Sequence, residues 1–140
     1  MTPSAIFIPF FVVMFLTMIV WIYMYARRIP FIRGNQLTPE QLASTEFARI
    51  SPPEVSNPSD NLKNLFEVPT LFYAVVLYLY VTQRVDATYV VAAWVFAAFR
   101  ILHSAVHCTV NIIIPRFSLY ATSTLALWFM LIRAGVNAVR

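Results

Sequence analysis

The run from Ala5 to Ala26 contains no charged side chain and stops at Arg27-Arg28. About 20 mostly apolar residues cross roughly 30 Å of hydrocarbon as a helix. In lipid, such a segment must satisfy its own backbone amides. This stretch therefore commits the chain to a bilayer and to helices. It does not read as a cleaved signal peptide, because no basic residue precedes it and two arginines close its far side. The rest of the chain agrees, with 60% hydrophobic and only 11% charged residues, against about a quarter charged in a soluble domain. That leaves too little ionic surface for a soluble fold and too much apolar surface for disorder. The single Cys108 excludes an internal disulfide framework.

Three further spans are expected at about 64–81, 87–110 and 117–132, the last closed by Arg133 and Gly135. The predicted architecture is all-α: one integral membrane domain over residues 1–140, a bundle of four transmembrane helices with a long first connection over 27–63. Within that connection, Thr38-Pro39-Glu40-Gln41 reads as the capped start of a short helix to about Arg49. Pro52, Pro53 and Pro58 predict an extended strap from Ser51 to Asp60.

Basic residues set the expected orientation. Arg27, Arg28, Arg33, Arg49, Lys63 and Arg116 fall on one side, and Arg84, Arg133 and Arg140 on the other. This bias predicts a cytoplasmic first connection with both termini outside. The net charge of +4 thus reports topology, and no nucleic-acid partner is expected. Trp21, Tyr23, Tyr25, Tyr78, Tyr80, Tyr89 and Trp128 read as interfacial anchors. Ala93 with Ala97, and Ser118 with Thr122, form small-xxx-small patterns compatible with close helix approach and self-association.

The residues that cost most in lipid are the most informative. An ionised side chain at mid-bilayer costs at least about 2.5–3.5 kcal/mol and normally faces protein or water. On span two, Asp60, Lys63 or Asn64, Glu67 and Thr70 fall along one stripe; on span three, Arg100, His103 and His107 form another. Both lie toward the same end, which predicts a shared polar cavity with Glu67 facing Arg100. Two readings stand side by side: a structural ion pair that locks the bundle, or a ligand site. The surplus of Lys63, Asn64, His103, His107 and Arg116 favours the ligand site. Pro69 predicts a kink beside Glu67. His103 and His107 have metal-ligand spacing, but they are the chain's only histidines, so no metal is expected. Cys108 is not read as a catalytic thiol.

Two blocks together resemble the MAPEG family, the membrane-associated proteins in eicosanoid and glutathione metabolism. One is Lys63-Asn64-Leu65-Phe66-Glu67-Val68-Pro69. The other is Arg100-Ile101-Leu102-His103, then His107, Pro115-Arg116 and Tyr120. The resemblance implies a homotrimer with a cytoplasm-facing glutathione site between neighbouring subunits, glutathione being the co-substrate. Asn64 and Glu67, with Lys63, would grip the tripeptide, Arg100 and His103 would brace Glu67 and the ligand, and His107 would line the glutathione site. Arg27 or Arg28 would meet a glutathione carboxylate from the next subunit. Arg116 would sit near the sulfur, supported by Tyr120, as the catalytic pair. The implied activity is a glutathione-dependent transferase or peroxidase acting on lipophilic electrophiles or lipid hydroperoxides, with membrane lipids and lipophilic small molecules as partners. The alternative is a non-catalytic lipid-binding or scaffolding protein of the same fold. It is suggested by His107 in place of the family's Tyr and Phe117 in place of its Ser.

Overall fold

The structure, a computed structural model, describes residues 2–139. A 3-10 turn over Pro3–Ile6 leads into α1 (Phe7–Gly34). Then follow α2 (Ser44–Ile50), α3 (Pro53–Phe66), α4 (Val68–Val81), α5 (Ala87–Cys108) and α6 (Ile113–Ala138). Four helical stretches, Pro3–Gly34, Pro53–Val81, Ala87–Cys108 and Ile113–Ala138, are long and apolar enough to cross a membrane. There is no strand among the described residues.

The boundaries depart from expectation where a charge, a proline or a glycine was read as a stop. Helix α1 continues through Arg27, Arg28 and Pro30 to Gly34. Pro30 forfeits one backbone bond, to the Ala26 carbonyl, and a helix can absorb that loss where neighbouring groups or water compensate. At the other end of the chain, α6 begins at Ile113 and runs past Gly135 to Ala138. A glycine inside a helix costs only about 1 kcal/mol, and Arg133 is engaged elsewhere. Helix α5 ends at Cys108 rather than 110.

The largest correction concerns the predicted strap. Most of Ser51–Asp60 is helical, so span two starts at Pro53. Pro53 occupies the first helical position, where its missing N–H is no loss. Pro58 loses one bond, but the helix gains a buried face of Val55, Asn57, Pro58, Asn61 and Leu65. The expected short helix is also divided: a 3-10 turn over Glu40–Leu42 breaks at Ala43 before α2. Gln41 Oε1 accepts from the Thr38 amide at 2.9 Å, but no Thr38 side-chain cap forms. Half of the capping box is present.

Pro69 does more than kink span two. The helix stops at Glu67 (φ −89°, ψ −98°) and restarts as α4 with Pro69 in its first turn. The Glu67 carbonyl is kept paired by Thr70, whose hydroxyl and amide donate at 2.5 and 3.2 Å. A satisfied carbonyl is what lets the interruption persist in a membrane helix.

Helix α5 is the centre of the bundle. Its Ala93, Phe96 and Ala97 are fully buried with Val13 of α1, Phe72 and Val76 of α4, and Leu127 and Met130 of α6. Small side chains at Ala93 and Ala97 permit close approach, the main source of helix association in lipid. Phe72 stacks on Phe96 with ring centroids 4.3 Å apart. Outward, α1 presents Ile8, Phe11, Phe15, Ile19 and Ile22. Tyr89 is not an interfacial anchor: it is buried in this core, with Asn137 3.4 Å from its hydroxyl.

At the end opposite the long connection, Asp86 fastens two helices. It caps α5 by accepting from the Tyr89 amide at 3.0 Å. It also takes two hydrogen bonds from Arg133 of α6, at 2.9 and 2.6 Å, and Arg133 lies 4.3 Å over the Tyr89 ring. Arg84 donates to the Asn137 carbonyl beside it. The Arg133 hydrogen bonds hold the Asp86 carboxyl below its ordinary range. A carboxyl depressed in the folded state contributes stability above its unfolded pKa of about 3.9 and loses it as pH falls through the folded value. Asp86→Ala is therefore expected to cost about 1 kcal/mol near neutral pH, chiefly as a lost cap, and to flatten the acid limb of Tm against pH. An unchanged acid limb in the variant would remove Asp86 from the account.

Candidate functional site

A polar seam joins α3, α5 and α6 at the end carrying the long connection. Three asparagines, Asn57, Asn61 and Asn64, recur along one side of α3 at helical spacing. Asn61 is fully buried; its amide donates to Cys108 Sγ at 3.4 Å and its oxygen accepts from Ser104 Oγ at 3.3 Å. Asn64 Nδ2 lies 3.5 Å from His107 Nδ1. Asn57 Oδ1 accepts from Asn111 Nδ2 at 2.9 Å, and Asn111 Oδ1 accepts from Arg116. Asn111 makes the α5–α6 turn with φ +48°, a left-handed conformation that asparagine tolerates better than most residues. The sequence reading missed Asn57, Asn61, Ser104 and Asn111. The signal is the asparagine spacing, which carries meaning only if residues 51–60 are helical.

Sharing Asn64 and Arg116 with this seam is a cavity of about 190 Å³ lined by Asn64, His103, Ile113, Arg116, Phe117 and Tyr120. It brings together four of the sequence-selected residues: Asn64, His103, Arg116 and Tyr120. Beneath it, Arg100, His103 and His107 are all buried, so the α5 stripe faces the bundle interior. Arg100 stacks over Tyr120 at 4.7 Å and Phe96 at 5.3 Å, and its Nη2 reaches Thr124 Oγ1 at only 3.4 Å. Its Nε and Nη1, and His103 Nδ1, are buried without a partner.

The other selected residues lie apart from this cavity. Glu67 is exposed, and among the described residues no salt bridge joins it to Arg100. The helix break at Glu67 removes the regular stripe on which the expected pair depended. Lys63 binds Asp60 at 3.0 Å; both are exposed while Asn61 and Leu65 take the buried face. Arg27 is exposed beside the Tyr23 ring. Arg28 is half-buried, 4.3 Å over Phe47. With Lys63 it lines a second cavity. Arg28 and Lys63 thus line a different concavity from Asn64, His103, Arg116 and Tyr120, and Arg27 and Glu67 line neither.

The partly satisfied seam defines a local test. Asn61→Ala would leave the buried Ser104 hydroxyl without its acceptor, at a cost of about 1–3 kcal/mol. It would also unpair Cys108, so faster thiol labelling of Cys108 should accompany the fall in Tm.

The family model of MAPEG matches residues 6–136, and the chain belongs to that family. No curated protein and no solved structure matches the chain.

Proposed function

We propose that this MAPEG chain is a glutathione-dependent transferase or peroxidase whose site is completed between subunits of a homotrimer. The observation that carries the reading is a pair of charges that lack an ionic partner of their own. Arg100 is fully buried with two nitrogens unpartnered among the described residues, while Glu67 is exposed beside a break in a membrane span and, among the same residues, joins no salt bridge. Each would cost several kcal/mol if left so in hydrocarbon. A zwitterionic tripeptide supplies both missing signs, carboxylates for the guanidinium groups and an ammonium for Glu67. The cavity's 190 Å³ is below the roughly 300–1,000 Å³ of small-molecule sites. One chain therefore offers part of a glutathione site, and a neighbour must supply the rest.

In this reading Asn64, His103 and His107 orient the tripeptide. Arg27, exposed at the same end, reaches the neighbour's glutathione, whereas Arg28 is held on Phe47. Lys63, bound to Asp60, acts only from the rim. Arg116 and Tyr120 attend the sulfur. A permanently charged guanidinium favours thiolate over thiol, and thiolate is the attacking species. The exposed Phe117 beside Arg116 gives a lipophilic electrophile an apolar approach from the membrane.

Glutathione at 100 times its Kd should stabilise the folded protein by about 2.7 kcal/mol. Wild-type Tm is expected to rise with glutathione, and Glu67→Gln should remove most of that rise. Detergent-purified protein should also accelerate conjugation of glutathione to a halogenated nitroarene. The absence of any glutathione-dependent shift would exclude the proposal. The non-catalytic alternative draws on an apolar groove of about 340 Å³ between α4 and α6, with Tyr78, Leu131 and Gly135 in its walls. It predicts co-purifying lipid and no turnover.

A further inference from the structure

We propose that the second cavity, between α1, α2 and α3, is a binding site for a phosphate monoester, held by Arg28 with Ser44 and Ser59. The cavity has a volume of about 340 Å³ and shares no lining residue with the 190 Å³ cavity; its one overlap with the proposed glutathione site is Lys63, at that site's rim.

Its hydrogen-bonding inventory is one-sided. The one carboxylate in its lining, Asp60, is paired with Lys63 at 3.0 Å on the same wall, and Glu46, next in sequence to the lining Phe47, binds Arg49 at 2.6 Å. Among the described residues Arg28 has no carboxylate partner. One face of its guanidinium rests on Phe47 at 4.3 Å, leaving its N–H edge free. Ser51 and Ser56 donate to the Phe47 and Pro52 carbonyls, so their hydroxyl protons are committed. Ser44 and Ser59 make no side-chain hydrogen bond among the described residues and line the same cavity. The unspent donors are thus a guanidinium fork and two hydroxyls, one from each of three elements, beside the Lys63–Asp60 pair.

Such a donor excess calls for an acceptor-rich anion. A planar carboxylate can be satisfied by one guanidinium bidentately. Donors from three directions suit the tetrahedral oxygens of a phosphate better, and arginine is well matched to phosphate. The position also fits a membrane headgroup. Arg28 follows the uncharged run ending at Ala26 by two residues, which puts it at the level where phosphates of anionic lipids lie. The phosphate could come from a phosphomonoester lipid or from a soluble phosphomonoester.

The full chain in phosphatidylcholine nanodiscs distinguishes these sources. In one arm a minor fraction of phosphatidic acid is added; in another, phosphatidylglycerol, an anionic phosphodiester; in a third, soluble glycerol phosphate. The readouts are Tm and amide hydrogen exchange over residues 44–59. Phosphatidic acid is expected to raise Tm and slow that exchange, with Arg28→Gln weakening the response about tenfold and Arg49→Gln leaving it intact. A matching response to glycerol phosphate assigns a soluble ligand; a response to phosphatidic acid alone assigns the lipid. Equal responses to phosphatidylglycerol, or none to any addition, would overturn the site. Should Arg28→Gln fail to fold, the double variant Ser44→Ala, Ser59→Ala takes its place and must weaken the same response. An undiminished response in that variant overturns the proposal.

Discussion

Replacing Arg100 with methionine is expected to stabilise the ligand-free protein and to abolish its stabilisation by glutathione. The guanidinium is fully buried, with Nε and Nη1 unpartnered. Its compensation is stacking on Tyr120 and Phe96 and one long hydrogen bond to Thr124. Cation–π contact contributes about 2 kcal/mol when desolvated, less than the several kcal/mol needed to bury an ion. Apolar replacement of buried charges elsewhere has gained about 1–4 kcal/mol, and a gain in that range is expected here. The glutathione-dependent rise in Tm should vanish in the same variant. If Arg100→Met instead lowers Tm equally with and without glutathione, Arg100 serves as a structural lock and the ligand reading fails.

The second large effect is kinetic. Arg116→Ala is expected to lower turnover about 10²-fold, the scale for removing one preorganised electrostatic group. Its guanidinium is held by Asn111, which is held in turn by Asn57 at 2.9 Å. Asn57→Ala should therefore reduce turnover in the same direction by about tenfold, while glutathione still binds. The discriminating measurement is glutathione thiolate absorbance against pH. Loosening Arg116 should move the thiol titration toward its ordinary value of about 8.5, whereas general loss of stability would not. An unshifted titration in both variants would separate Arg116 from the sulfur chemistry.

Some of the site could be read directly from the chain. Arg100, His103 and His107 lie on one regular helix, so their spacing alone put them on a common face, and all three are buried. The resemblance to MAPEG lies in the block from Lys63 to Pro69 and in Arg100, His103, His107, Pro115-Arg116 and Tyr120, and the family model over residues 6–136 bears it out. The Glu67–Arg100 contact could not be read in this way. Spacing arguments assume an unbroken helix, and the interruption at Glu67 voids that assumption at the residue of interest. The Asn57–Asn111–Arg116 chain is illegible for the opposite reason: three prolines argue locally against a helix that burial of Leu65, Asn61 and Val55 sustains.

What the sequence determined alone was the environment and the number of crossings. Hydrocarbon imposes a length and a charge limit that four segments meet, and this constraint acts on each segment separately. What only the tertiary structure decided was which polar groups share a cavity. That choice depends on where helices begin and break and how they rotate against one another. Those features are set by competition between backbone satisfaction and side-chain packing across distant segments, so no single segment carries them.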